Sequence, residues 1–490
     1  MFHLGIDLGT SGVKVVLIDG DQAIVDQATA PLRVSRPHPL WSEQDPDNWQ
    51  RAADAAMAEL KSRRGRELSG VGGIGLSGQM HGATLLDSED RPLRPAILWN
   101  DGRSGAECAE LERREPRSRA ITGNLAMPGF TAPKLLWVAR NEPDIFARTA
   151  KVLLPKDYLR LRMTGRHASD LSDSAGTLWL DVGARRWSDA MLAATGLKLS
   201  AMPELFEGSD PTGTLLPEVA RTWGVPETAV VAGGAGDNAA GAVGVGVIQP
   251  GSAFLSLGTS GVLFAANDGF HPNPEQAVHA FCHCLPATWH QMSVMLSAAS
   301  CLSWARAATG AESEAALLAE AEAADRDVGR LLFLPYLSGE RTPHNDPSAT
   351  GVFFGITHET SRADLTRAVL EGVAFACADG LDALIQAGTS VDRLSVIGGG
   401  ARSPFWGRIL AAALDRPLLY HKGGDLGPAF GAARLGRLAA TGEDPAALCH
   451  APPVDFTIDP DPALVDRYAG RMAEFRDLYR ALKPRFAAAI

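Results

Sequence analysis

The 490-residue chain carries 46 Lys and Arg against 57 Asp and Glu, a formal charge of −11, with 46% hydrophobic and 21% charged residues. That apolar content excludes a disordered chain, and the acidic balance excludes a general nucleic-acid binder, which needs the opposite sign. At roughly 150 residues per domain the length gives about three domain-sized units or two large ones, and six cysteines without a CxxC pair exclude a disulfide framework or a zinc ribbon.

Two apolar runs, Phe2 to Ile6 and Val13 to Ile18, flank Asp7-Leu8-Gly9-Thr10-Ser11-Gly12 and predict a β-hairpin with a glycine turn. Asp7 falls where a signal peptide needs an apolar core, and no basic segment precedes it, so a cytoplasmic protein is expected. Glycines let a phosphate approach the backbone, and amides with the Thr10 and Ser11 hydroxyls supply donors to anionic oxygens, with Lys14 following. Asp7 then stands where a magnesium ion needs a hard oxygen ligand through water. Taken singly, the segment also reads as a plain glycine turn with a surface aspartate.

Asp45-Pro46 opens a predicted helix along which Trp49, Ala53, Ala56, Met57 and Leu60 repeat at helical spacing. A strand from Val71 to Leu76 runs into Gly78-Gln79-Met80-His81-Gly82. Together with Leu98-Trp99-Asn100-Asp101-Gly102-Arg103 this offers polar groups and an aromatic face to a polyhydroxylated ligand. A lone histidine at a strand end is also a common structural feature. The segments Asn141 to Arg148 and Ala311 to Arg330 read as polar surface.

Gly233-Gly234-Ala235-Gly236-Asp237-Asn238 places a carboxylate on a glycine-flanked turn at a helix N-terminus, where the dipole favours its charged form. Capping alone explains an aspartate there. The same geometry suits a base that takes the proton of a substrate hydroxyl as it attacks a γ-phosphate. The uncharged stretch Asn238 to Asn267 is long enough to span a membrane, but six glycines, Pro250 and four hydroxyl residues make it a buried soluble core.

About half a chain after the first hairpin, LGTSG returns as Leu257-Gly258-Thr259-Ser260-Gly261, again between apolar runs, which predicts a duplicated fold. Cys282-His283-Cys284 has the wrong spacing for a zinc site and reads as buried cysteines. Ser361 caps a helix with Leu365, Ala368, Val369, Gly372, Val373 and Ala376 on its apolar face and Arg362, Asp364, Arg367 and Glu371 on its wet side. A strand at Leu394 to Ile397 leads into Gly398-Gly399-Gly400-Ala401-Arg402-Ser403, a corner suited to a nucleotide base or ribose. Gly423 to Ala433 opens a small-residue helix, which fits close packing or a hinge between the halves. The alternation of strands and helices gives an α/β class with a boundary near residue 245.

In order and spacing, Asp7 to Gly12, Gly78 to Gly82, Gly236 to Asn238, the second LGTSG and Gly398 to Ala401 resemble the FGGY carbohydrate kinases of the actin-like ATPase superfamily. The resemblance covers essentially the whole chain. It implies two duplicated ribonuclease-H-like domains, 1–245 and 246–490, with ATP in the cleft between them. It implies Asp237 as the catalytic base and Met80, His81, Asp237 and Asn238 as the sugar contacts. It also implies a nucleotide site formed by Thr10, Ser11, Lys14, Gly258, Thr259, Ser260, Gly399, Gly400 and Ala401, and Mg²⁺ held through Asp7. Met80-His81 stands where glycerol kinases have Arg-Glu, which argues against glycerol as substrate. The stretches Ser35 to Pro46 and Leu334 to Asn345 narrow the likeness to one bacterial branch, and a homodimer is expected from the family. Two alternatives fare worse. A nucleotide-switched binding protein has no use for Asp237 or Met80-His81, and a nicotinamide dehydrogenase lacks GxGxxG after the first strand.

Overall fold

The computed structural model describes residues 1–324, 329–422 and 427–488. Its frame is two mixed sheets built on the same strand plan. In the first, β1 (Phe2–Leu8) and β2 (Gly12–Ile18) form an antiparallel hairpin that β3 (Ile24–Pro31) extends. Helix α1 (Asp47–Leu68) carries the chain to β4 (Val71–Gly78), parallel to β1 on its other side. A long excursion contains α2 (Pro155–Thr164) and α3 (Leu171–Ala175). The edge strand β5 (Pro211–Thr214) follows, then β6 (Val230–Ala232) and the short β7 (Ala235–Gly236), both parallel to β4, and then α4 (Asp237–Val245).

The second sheet repeats the plan. Its hairpin is β8 (Gly251–Leu257) and β9 (Gly261–Asn267), extended by β10 (His279–Cys282) and β11 (Trp289–Met295), with β11 directly beside β9. Helices α5 (Ala299–Thr309) and α6 (Arg362–Gln386) precede β12 (Val391–Ile397), which runs parallel to β8 as β4 does to β1. Then come α7 (Pro404–Leu414), β13 (Leu418–His421), α8 (Pro428–Thr441), β14 (Val454–Ile458) and α9 (Pro462–Ala488). The LGTSG echo therefore extends to topology: hairpin, third antiparallel strand, and a parallel neighbour on the far side of the first strand.

The first sheet is apolar on both faces because both are covered. Val13, Val15 and Leu17 pack with Trp49, Ala53, Met57 and Leu60 of α1, the helical face expected from the sequence. On the opposite face Val16 and Ile18 meet Ala429, Phe430 and Ala433 of α8. This contact is very close: a Cβ at Gly5, Gly73 or Gly75 would lie 1.8, 2.0 or 1.7 Å from a carbonyl oxygen of α8. Glycines on the strands let a helix backbone lie directly on them. On its other side α8 abuts α4, with Gly431 against Ala240 and Arg434 Nη1 donating to Val243 O at 2.8 Å. That pairing runs in the same direction along both helices, so their N-termini lie side by side. Beyond α4, Ala242 and Val245 share a core with Phe254 and Phe264 of the second sheet.

Several local expectations need correction. Ser361 does cap α6, in a full capping box with Asp364. Arg362 on the wet side assigned to that helix is exposed, but the side is covered further along, because α9 packs over it. Arg367 and Glu371 are buried and paired at 3.0 Å, and Arg471 of α9 reaches Glu371 at 2.8 Å. Helix α1 begins at Asp47 with Pro46 at the cap, without a side-chain cap bond. The two polar surface segments contain short helices, Pro143–Arg148 and Glu314–Ala324; residues 325–328 lie outside the described residues. The uncharged stretch after Asp237 is α4 plus the β8–β9 hairpin, and no helix among the described residues is long and apolar enough to cross a membrane.

Candidate active site

The site residues stand at one end of the first sheet, where the parallel strands finish and α4 and α8 begin. In the register, Asp7 pairs with Ser77 of β4, and Ser77 in turn with Ala235 of β7, so the three strands present one row of residues. The Ser77 hydroxyl donates to Asp7 Oδ1 at 2.9 Å. Lys14 lies directly opposite Asp7 on the hairpin. Burial raises the Asp7 carboxyl to about 6, against the pull of Ser77 and Lys14.

Two residues past that row, Asp237 is the first residue of α4. Its Oδ1 accepts from the Asn238 amide at 2.8 Å and from Asn238 Nδ2 at 3.0 Å, so both bonds fall on one oxygen and Oδ2 is left to the site. The sequence alone favoured the charged form at this helix N-terminus. Burial first, and the Asp7 charge second, instead raise Asp237 to about 7, outweighing the Asn238 bonds. A carboxylate poised near neutrality can both give and take a proton.

Met80 and His81 adjoin this acid. A Cβ at Gly236 would lie 2.9 Å from Met80 Cγ and Sδ, which places the thioether against the backbone that presents Asp237. His81 adopts φ 67°, and its Nδ1 is 2.7 Å from Gly176 O. Since a carbonyl only accepts, Nδ1 carries the proton and Nε2 keeps its lone pair. Burial and the nearby Lys134 lower His81 to about 3, so the ring is neutral. Lys134, fully buried, donates to His81 O and Gly129 O at 2.8 Å each, holding the strained residue in place. Phe130 packs edge-on to His81 at 4.9 Å and to His279 of β10 at 5.3 Å, joining this corner to the second sheet.

The first turn is held by side chains from three other segments of the chain. The Thr10 hydroxyl donates to Gln79 Oε1 at 2.9 Å and accepts from Trp99 Nε1 at 2.9 Å. Gln44 Nε2 donates to Thr10 O at 2.8 Å, while Gln44 Oε1 accepts from Gln79 Nε2 and Trp49 Nε1. Thr10 thus fixes the turn through its hydroxyl, and Ser11 next to it is exposed. Trp99 remains 44% exposed, an aromatic face at the edge of the site. Its neighbours in the sequence do not join it: Asp101 and Arg103 pair at 2.7 Å in the interior, and Arg103 also meets Glu43.

The second turn is anchored from behind. Thr259 O accepts from the Ala298 amide at 2.9 Å and the Ser300 hydroxyl at 2.7 Å, and Gly258 O accepts from the Ala299 amide, leaving the Thr259 and Ser260 side chains exposed. Alongside, Gly398 (φ 91°) turns the chain out of β12, and a Cβ there would lie 2.7 Å from Leu257 O. Gly399, Gly400 and Ala401 follow in the short 3-10 turn Gly399–Arg402, next to the second hairpin; the Ala401 side chain lies outside the described residues. Of the glycine segment proposed as a hinge, residues 423–426 lie outside the described residues, and Gly431 is tightly packed on α4. Cys282 and Cys284 are buried free thiols, and no group of three or more His, Cys, Asp or Glu able to hold a metal occurs among the described residues.

The profile of the FGGY family of carbohydrate kinases, N-terminal domain, matches residues 2–244, and that of the C-terminal domain matches residues 253–440. The chain is 57% identical over 486 residues to xylulose kinase of Escherichia coli (strain K12), covering 99% of this chain and 100% of that protein. The crystal structure of a xyloylose kinase from Brucella ovis superposes with a TM-score of 0.96 at 57% identity, over 99% of this chain and 100% of that one. Xylulose kinase from Rhodospirillum rubrum superposes at 0.92 with 31% identity, again over 99% and 100%.

Proposed function

The chain belongs to the FGGY family of carbohydrate kinases, and we propose that it transfers the γ-phosphoryl group of ATP to the 5-hydroxyl of D-xylulose, giving D-xylulose 5-phosphate and ADP. The observation that carries the mechanism is Asp237 at the N-terminus of α4, raised to about 7 by burial and by the charge of Asp7, which lies in the strand row two residues before it. Asp237 Oδ2 takes the proton of the sugar hydroxyl as that oxygen forms a bond to Pγ and the bond from Pγ to the bridging oxygen breaks, so that ADP leaves. Met80 and Asn238 flank this acid, and the neutral His81 offers Nε2 to a second sugar hydroxyl. The choice of D-xylulose rests on the relatives, and Met80-His81, standing where glycerol kinases have Arg-Glu, argues against glycerol.

The Thr10–Ser11 and Thr259–Ser260 turns receive the polyphosphate, with Lys14 adding a positive charge, and Gly399, Gly400 and Ala401 receive the adenosine. The residues present fit Mg²⁺. Asp7 offers one carboxylate oxygen not taken by Ser77, and this cation is held by one or two carboxylates, phosphates and water rather than by an all-protein cage. When bound, it neutralises charge on the transferring phosphoryl group. The reading is tested by ADP release with MgATP and D-xylulose, L-ribulose, gluconate, glycerol or no sugar. Strong preference for D-xylulose is expected. Preference for another sugar would overturn the substrate, and release independent of sugar would overturn the transfer itself.

A further inference from the structure

Beneath the turn that presents Asp237 lies a buried charge cluster that the transfer step does not use. Lys156 of α2 is wholly buried, and its Nζ lies 2.6 Å from Asp157 Oδ1, 2.7 Å from Asp170 Oδ2 and 3.1 Å from Asp173 Oδ2. Arg160, one turn further along α2 and equally buried, donates through Nη1 to Asp157 Oδ1 at 3.2 Å and Ala168 O at 2.8 Å. Its Nη2 donates to Gly233 O. Ser172 of α3 donates to Asp170 Oδ1, and its oxygen accepts from the Gly236 amide at 3.2 Å. Burial first, and the adjoining Asp170 and Asp157 charges after it, hold the Asp173 carboxyl well above its usual range.

A fully buried ion cluster is a costly way to stabilise a fold, since well-packed apolar residues commonly do as well. What it adds is direction: every bond has a fixed donor and acceptor. Here the bonds close a ring, from Gly233 O through Arg160, Asp157, Lys156, Asp170 and Ser172 back to the Gly236 amide. The two ends of that ring grip the two ends of the glycine turn 233–236. The glycines bring no side chains to fix the turn; besides the ring, it is held by the Gly233 and Gly234 amides, which donate to Asp210 O at 2.8 Å and Gly208 O at 2.9 Å, and by the pairing of β7 with β4. The ring also supports the sugar side, because a Cβ at Gly78 would lie 3.0 Å from Lys156 Cβ.

We propose that Arg160 and Ser172, locked by Lys156 and its aspartates, are positioning residues that clamp the 233–236 turn and so aim the Asp237 carboxylate at the sugar hydroxyl. This rests on the reading of Asp237 as the base. The mildest probes are Ser172→Ala, which removes one oxygen, and Arg160→Lys, which keeps the charge but not the fork. Lys156→Met strands several carboxylates and risks the fold. A turn displaced by about 1 Å costs roughly 10²-fold in rate, so each mild variant is expected to lose at least tenfold in kcat. The KM values for ATP and sugar should stay within twofold, and MgATP should still raise the melting temperature. Leu68→Ala, at the far end of α1, serves as the control, lowering the melting temperature without lowering kcat.

A fall in melting temperature with kcat unchanged in both mild variants would overturn the clamp while leaving Asp237 as the base, provided Asp237→Asn is inactive. Full turnover by Asp237→Asn would overturn the base reading itself, and the clamp with it.

Discussion

Replacing Gly431 by alanine tests how the packing of the two central helices governs the chemistry. The new Cβ would stand 1.8 Å from Ala240 O and 3.0 Å from the Gly244 nitrogen. Relief to an ordinary van der Waals contact requires the helices to part by roughly 1.5–2 Å. Helix α8 has no room to retreat, because Gly5, Gly73 and Gly75 already bring the first sheet against its carbonyls on the opposite side. The displacement therefore falls on α4, whose first residue is Asp237. Overpacking of this kind costs about 1–3 kcal/mol, and a 1 Å error at the base about 10² in rate. At roughly 2–4 °C per kcal/mol for a domain of this size, the melting temperature should fall by several degrees. Calorimetry and coupled ADP release measure the two effects. Gly470→Ala gives the opposite sign: it sits exposed in α9 with nothing within 4 Å of its Cβ, and should gain about 0.5–1 kcal/mol with kcat unchanged. Wild-type kcat and melting temperature in Gly431→Ala would refute the reasoning.

The remaining expectations concern charge and the first turn. Because only the ionised carboxylate accepts a proton, kcat/KM should fall as pH is lowered through about 7, and Asp7→Asn should move that limb to lower pH by removing the charge that helps hold Asp237 up. Asp7→Asn should also raise the Mg²⁺ concentration needed for half-maximal rate, measured by metal titration. Since the folded Asp237 sits above its unfolded value, its ionised form is penalised in the fold at pH above about 7, and that penalty fades as pH falls toward the ordinary carboxylate range. Asp237→Asn should therefore raise the melting temperature at pH 8, with the gain shrinking toward pH 5, while turnover is lost. Thr10→Val strands Gln79 Oε1 and Trp99 Nε1, at a cost of about 1–3 kcal/mol, and should raise the KM for ATP by loosening the turn.

The segments of the candidate site were legible in the sequence because each is contiguous. A glycine turn between apolar runs specifies its own hairpin, so Asp7 to Gly12 and Leu257 to Gly261 predicted both turns and the duplication that the sheet order repeats. Asp237 was legible for the same reason, as a carboxylate between a glycine turn and a helix. Its titration was not: the charge that joins burial in raising it belongs to Asp7, brought alongside by β1, β4 and β7. The pattern of α6 identified its inner face but misassigned the outer one, since a helix's periodicity carries no mark of the distant α9 that covers Arg367 and Glu371. Asp101 and Arg103 read as ligands by composition and are an interior ion pair. The buried ring around Lys156 had no motif at all, because its members matter only through bonds to a turn some 60 to 80 residues later in the chain. Local patterning determined which residues stand as candidates for the chemistry; long-range packing alone decided which charges share a site and which helices hold it.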